Sequence, residues 1–233
     1  MKNKRKTKDF SGYLFRCSQL GRLMTNPRRK SETLSETTKE YLREIWICET
    51  YGREKEITSK FLEKGTFVEE ESLSLVTRVG GELLLKNKFQ LKNDFICGTP
   101  DVVEPGVRDI KSSWDIWTFA KADGKNKDYF WQLQGYMWLA KAQTSKLHYT
   151  LVDAPLHLVV DEERRTAYRE GVIDDPVACE EIERRIGKLM TFGDVEEEER
   201  VKTFEFSFDE KKISELQERV VEARKYLAKI TSL

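Results

Sequence analysis

The chain has 233 residues, of which 39% are hydrophobic and 35% charged, with a formal net charge of zero. That is enough apolar material for the core of one large domain or two small ones, and it excludes intrinsic disorder and a collagen-like or disulfide-framework protein. No apolar stretch nears the roughly 18–20 residues of a membrane span, candidates such as Leu156–Val160 being short.

No apolar segment follows the basic N-terminus, so a secretory signal is not expected. Cys17, Cys48, Cys97 and Cys179 are scattered without a C-x2-C pair, which argues against structural zinc or an iron–sulfur cluster and for a reducing cytoplasm. Charge is unevenly spread. Residues 1–30 hold ten Lys/Arg against Asp9 alone, and residues 161–200 hold seven Lys/Arg against fourteen Asp/Glu. A basic N-terminal face attracts phosphate through its local field whatever the total charge, the alternative being a solvated tail over Lys2–Lys8.

In chain order, Thr33-Leu34-Ser35-Glu36 has capping-box spacing. Tyr41, Leu42, Ile45 and Trp46 then recur at helical spacing until Gly52. A second helical stretch is expected from about Ser59 through Glu71 and beyond. Phe89, Leu91, Phe95 and Ile96 around Asn93-Asp94 predict two strands joined by a turn, and Val107–Lys111 another strand after Glu104-Pro105-Gly106. An aromatic-rich helix is expected over Asp128–Ala142, a strand over Leu147–Val152, a helix over Asp161–Lys188 and a strand over Thr203–Phe208. The last helix spans Asp209–Ile230, with Ile213, Leu216, Val220, Ala223 and Leu227 on one face.

The chemistry concentrates in Gly98-Thr99-Pro100-Asp101 and, eight residues on, Asp109-Ile110-Lys111. Asp101 and Asp109 are each expected at a strand position. Strand alternation puts Asp109 and Lys111 on one side and Ile110 on the other. Two carboxylates with an ammonium suit a Mg²⁺-dependent phosphodiesterase, hard oxygen ligands holding an ion that acidifies water while lysine stabilises charge. An ordinary turn and a surface ion pair are the bland alternative. Trp114 and Trp117, followed by Lys121, Lys125 and Lys127, are candidate DNA contacts, whereas Trp131 and Trp138 are assigned to the core. His148 and His157 are expected in structural roles.

Pro100-Asp101 and Asp109-Ile110-Lys111 resemble the PD-(D/E)XK nuclease superfamily. Lys64-Gly65-Thr66-Phe67-Val68-Glu69 is similar to the K-G-x-x-x-E helix of the phage lambda exonuclease and YqaJ-like viral recombinase families. Gln132-Leu133-Gln134-Gly135-Tyr136-Met137-Trp138 is similar to their Q-V-Q…M-W helix, and Gln132 with Tyr136 also fits the Q-x-x-x-Y pattern of RecB-type nucleases. The resemblance covers about residues 10–150.

It implies an α/β fold with a restriction-endonuclease-like core, a mixed central β-sheet flanked by helices. One domain would span 1–233, with a basic N-terminal segment (about 1–9) and a C-terminal extension (about 155–233). Glu69, Asp101, Asp109, Lys111, Gln132 and Tyr136 become candidate catalytic residues. Mg²⁺, with Mn²⁺ as substitute, would be held by Glu69, Asp101, Asp109 and the Ile110 carbonyl. Within the run Glu69-Glu70-Glu71 the choice of acid rests on the family spacing. Arg16 and Ser18, by a partial match, become a pocket for a terminal 5′-phosphate, the alternative being a helix start capped by Ser18. The implied activity is exonucleolytic digestion of duplex DNA from 5′ ends in phage-type recombination or repair, with a single-strand-annealing protein as partner and a trimer as assembly. An endonuclease or resolvase of the same fold, or a non-catalytic DNA-binding scaffold, are the alternatives.

Overall fold

The computed structural model describes residues 8–55 and 59–232; most of the basic segment at about 1–9 lies outside them. Strand β1 (Phe15–Arg16) leads through a 3-10 turn, Cys17–Gln19, into α1 (Leu20–Leu23) and α2 (Glu36–Tyr51). Helices α3 (Lys60–Phe67) and α4 (Glu69–Gly80) precede strands β2 (Leu91–Lys92), β3 (Ile96–Gly98) and β4 (Val107–Ser112). Then come α5 (Ile116–Lys121), α6 (Lys127–Ala140), β5 (Thr144–Thr150), α7 (Leu156–Glu170), α8 (Pro176–Met190), β6 (Val201–Ser207) and α9 (Glu210–Lys229).

The strands form two three-stranded mixed sheets, β1-β3-β2 and β4-β5-β6. In the first, β1 runs parallel and β2 antiparallel to β3; in the second, β5 runs parallel to β4 and antiparallel to β6. A bridge between Val102 and Arg108 ties the segment after β3 to β4. The expected α/β class holds, and the mixed central sheet expected is observed as two three-stranded mixed sheets flanked by helices.

The main core gathers Phe15, Leu20, Leu42, Leu133 and Leu147 with Leu216, Val220 and Leu227. The apolar stripe expected on the last helix is therefore buried along its length, and α9 with β6 completes the core beside α6. Gln134, fully buried, pins this junction: its Nε2 donates to the Ser207 carbonyl at 2.8 Å, and its Oε1 accepts from Asp209 N–H at 3.0 Å.

Three local expectations are corrected. The cap of α2 is Ser35, whose hydroxyl accepts from Thr38 N–H, rather than Thr33. The serine is favoured because its hydroxyl also meets those of half-buried Thr25 and buried Thr38, a trio that no local pattern reveals. The acidic segment is two helices rather than one, because Gly171 adopts left-handed φ 71° and Pro176 opens the next helix under an Asp175 cap. Helices α3 and α4 part at Val68, which leaves helical geometry (φ −101°, ψ 12°) and buries beside Leu75 and Val152. That break puts Glu69, Glu70 and Glu71 in a first helical turn, where the helix dipole favours acids.

Candidate active site

The site lies where β4, the segment following β3, and helices α4 and α6 meet. Asp109 and Lys111 leave β4 on one side, and their ion pair spans 2.7 Å from Nζ to Oδ2. Ile110 packs on the other side with Val76, Leu84 and Val102. Asp101 sits in a bend rather than a strand, one residue before the Val102 bridge, which corrects the expected strand position. The bend turns its Oδ2 onto the Ile110 N–H at 2.6 Å, a bond that a ladder position would have given to a backbone carbonyl.

Helix α6 supplies the next layer. Gln132 Nε2 donates to Asp109 Oδ1 and to the Tyr136 hydroxyl, both at 3.0 Å. Gln132 and Tyr136 share a helix face at i, i+4, as their spacing predicts. With Oδ1 taken by Gln132, the buried Oδ2 of Asp109 makes no well-aligned hydrogen bond and is left to the Lys111 ammonium. Close approach of α6 depends on glycine: a Cβ on Gly98 would lie 2.6 Å from the Tyr136 ring and 2.9 Å from Cys17.

Helix α4 is fastened by hydroxyls, Ser72 bonding Ser112 at 2.7 Å and Thr150 at 3.0 Å. Lys64, 1% exposed, holds α3 in the same way, donating to the carbonyls of Ser113 at 2.8 Å and Trp114 at 3.0 Å just past β4. Burial pushes this lysine down to about 8, partly opposed by Asp153 and Asp115. So the lysine of K-G-x-x-x-E ties α3, the helix before the glutamate helix, to the segment just past β4.

The electrostatics are those of crowded acids. Burial, then the Asp109 charge, pushes Asp101 up to about 7, against Lys111 and the Ile110 N–H; Glu69 adds a smaller upward push. Burial acts to lower Lys111, but Asp109 and Asp101 outweigh it and its pKa is raised, so it is an ammonium at neutral pH. Burial raises the Tyr136 phenol.

Oxygen donors only, two of them on buried and mutually repelling carboxylates, with one buried carboxylate oxygen lacking an aligned donor, fit a hard divalent cation. The third acid is held apart: Glu69 Oε2 pairs with Lys86 Nζ at 2.9 Å. Accordingly, among the described residues no three Asp, Glu, His or Cys side chains are already gathered for a metal. Glu69 is partly buried and acts electrostatically on Asp101, whereas Glu70 and Glu71 are exposed.

The remaining candidates are dispersed. Arg16 and Ser18 are both exposed at the end of β1 and in the 3-10 turn, and neither side chain has a hydrogen bond or ion pair with the described residues. Ser18 therefore caps no helix. Trp114 is partly buried under Phe61, ring centroids 5.1 Å apart, with the Lys60 ammonium 4.8 Å from its ring. Its neighbour Trp117 is the open one, 64% exposed on α5. Lys125 is solvent-exposed near Asp123. Trp131 and Trp138 pack against the main core. His157 pairs with Glu63 at 2.9 Å. His148 is bound through Nδ1 to Thr203, leaves Nε2 unpaired, and is pushed by burial, with Arg108 and Lys146, to about 4. Sequence reasoning gave Gln134 no role of its own and passed over Lys86 and the Ser72–Ser112–Thr150 set, whose partners are all distant in the chain.

No protein-family model and no curated protein matches the sequence. Among solved structures, a phage-related exonuclease from Haemophilus somnus 129PT is 26% identical with a TM-score of 0.75, over 92% of this chain and 93% of that one. An alkaline exonuclease, LHK-Exo from Laribacter hongkongensis, is 16% identical with a TM-score of 0.59, over 93% and 89%, and its complex with dAMP gives 0.61 over 94% and 89%. The likeness extends well beyond residue 150. At 16% identity LHK-Exo speaks for the fold, and the phage-related enzyme adds sequence likeness to it. On fold and motif residues together, the chain is similar to a phage-related exonuclease and carries residues that match the PD-(D/E)XK pattern.

Proposed function

We propose that this protein is a Mg²⁺-dependent DNA exonuclease that hydrolyses linear duplex DNA from 5′ ends. The observation that carries the reading is the linked set Asp101, Asp109, Lys111, Gln132 and Tyr136 at one edge of the β4-β5-β6 sheet, in a chain with the fold of a phage-related exonuclease. Asp101, Asp109, the Ile110 carbonyl and Glu69 would hold the ion. When bound, Mg²⁺ supplies charge stabilisation at the scissile phosphate and lowers the pKa of water. Lys111, kept protonated by its two acids, acts as a cation at the phosphate rather than as a general base. Gln132 holds Asp109 in one rotamer, and Tyr136, protonated, keeps its O–H free to donate. Arg16 and Ser18 would take the terminal 5′-phosphate, since the guanidinium fork suits phosphate oxygens and has no competing partner among the described residues. Trp114 and Lys125 would lie along the DNA path, with Trp117 as the exposed ring. A role in phage-type recombination or repair, a single-strand-annealing partner and a trimeric assembly follow from the family resemblance.

Linear duplex labelled at the 5′ or the 3′ end, digested with and without Mg²⁺, tests the reading. Metal-dependent release from the 5′ end is expected. Cleavage of closed circular DNA at a comparable rate would turn the assignment to an endonuclease, and no cleavage with Mg²⁺ would remove it.

A further inference from the structure

The loop after α4 carries a cation into the acidic site. Its Lys86 ammonium lies 2.9 Å from Glu69 Oε2, and Glu69, Glu70 and Asp101 all act on it electrostatically. Its position is built rather than incidental. The next residue, Asn87, donates its N–H to the Asp101 carbonyl at 2.7 Å, and its side-chain amide donates to the Pro100 carbonyl at 3.0 Å and the Phe89 carbonyl at 2.9 Å. Two residues of the Pro100-Asp101 motif thus clamp the loop that aims Lys86. Asn87 Oδ1 in turn accepts from Phe89 N–H, which stiffens the loop on the far side.

A lysine is no ligand for a hard cation, and its ammonium competes for the same carboxylate. We infer that Lys86 is a positioning residue that serves as the internal counter-cation of Glu69, and that the carboxylate exchanges Lys86 for the metal ion when the site loads. Lys86 keeps Glu69 from adding a third negative charge to Asp101 and Asp109, and the site takes a divalent ion only by breaking this pair. It also explains why the third acid stands apart from the other two among the described residues. The inference rests on the metal-dependent reading of the same site.

The test is calorimetric titration of the full-length protein with Mn²⁺ alone, without DNA, on the parent, Lys86→Met, Lys86→Arg, Glu69→Gln and the double variant Lys86→Met/Glu69→Gln. Lys86→Met is expected to bind Mn²⁺ about 2- to 5-fold more tightly, the range spanned by a partly exposed ion pair, and Lys86→Arg to match the parent. In the Glu69→Gln background, Lys86→Met should bring no tightening, because the pair is already gone. Tightening that persists in that background would mean simple charge relief and would overturn the partner exchange. Unchanged or weaker binding by Lys86→Met in a parent that does bind would overturn it too, while leaving the nuclease reading intact. A parent that takes up no Mn²⁺ would remove both.

Discussion

Replacing Asp101 by asparagine should stabilise the protein in the absence of divalent ions while removing the proposed metal site. The carboxyl titrates near 3.8 when exposed and near 7 in the fold, pushed up first by burial and then by Asp109. Between those values the unfolded chain has released the proton that the folded one retains, so folding stability falls as pH rises from about 4 to about 7 and is level above. About three units at about 1.36 kcal/mol each put the cost near 4 kcal/mol at pH 8. Asparagine is never charged and still offers an oxygen to the Ile110 N–H. Its amide adds an N–H, and leaving one unpaired takes back about 1–3 kcal/mol. A net gain of about 1–3 kcal/mol remains, or a rise in Tm of about 2–12 °C for a chain of this size. Thermal unfolding in chelator at pH 8 and pH 4 measures it: Asp101→Asn should melt above the parent at pH 8 and at or below it at pH 4. Adding Mn²⁺ should raise the Tm of the parent and not of the variant. A variant no more stable than the parent at pH 8 in chelator would refute the claim that Asp101 is held at the expense of stability.

Lys111→Ala should leave Mn²⁺ affinity within a few-fold while kcat falls about 10²–10³-fold, as for loss of one preorganised donor; activity within a few-fold of the parent would sink its catalytic role. Gln132→Leu, which frees Asp109 Oδ1 and the Tyr136 hydroxyl, should weaken Mn²⁺ binding about 10–100-fold in a titration. Gly98→Ala should cost about 1–3 kcal/mol in urea unfolding, since the added Cβ meets Tyr136 and Cys17 inside 3 Å. Arg16→Ala should slow digestion of 5′-phosphorylated duplex about tenfold, towards the rate on a 5′-hydroxyl end, consistent with loss of a charge-assisted pair; equal parent rates on both ends would mean that no such pocket operates.

Much of the site was legible because its signals are local. Asp109 and Lys111 share a side of β4 by period-2 alternation, Gln132 and Tyr136 share a face of α6 by i, i+4 spacing, and the buried stripe of α9 follows the helical repeat. These patterns need only the geometry of one element. What the tertiary structure decided depends on groups far apart in the chain. The bend that gives Asp101 the Ile110 N–H requires the Val102–Arg108 bridge. The cap of α2 moved to Ser35 because Thr25 and Thr38 surround its hydroxyl. Trp114 was drawn under Phe61, leaving Trp117 to the solvent. The pairing of Glu69 with Lys86 joins a helix start to a loop clamped on Pro100-Asp101. Spacing names which side chains share a strand or helix face; only packing settles which backbone groups and counter-charges they meet, because burial strength and hydrogen-bond partners are set by segments that sequence order keeps apart.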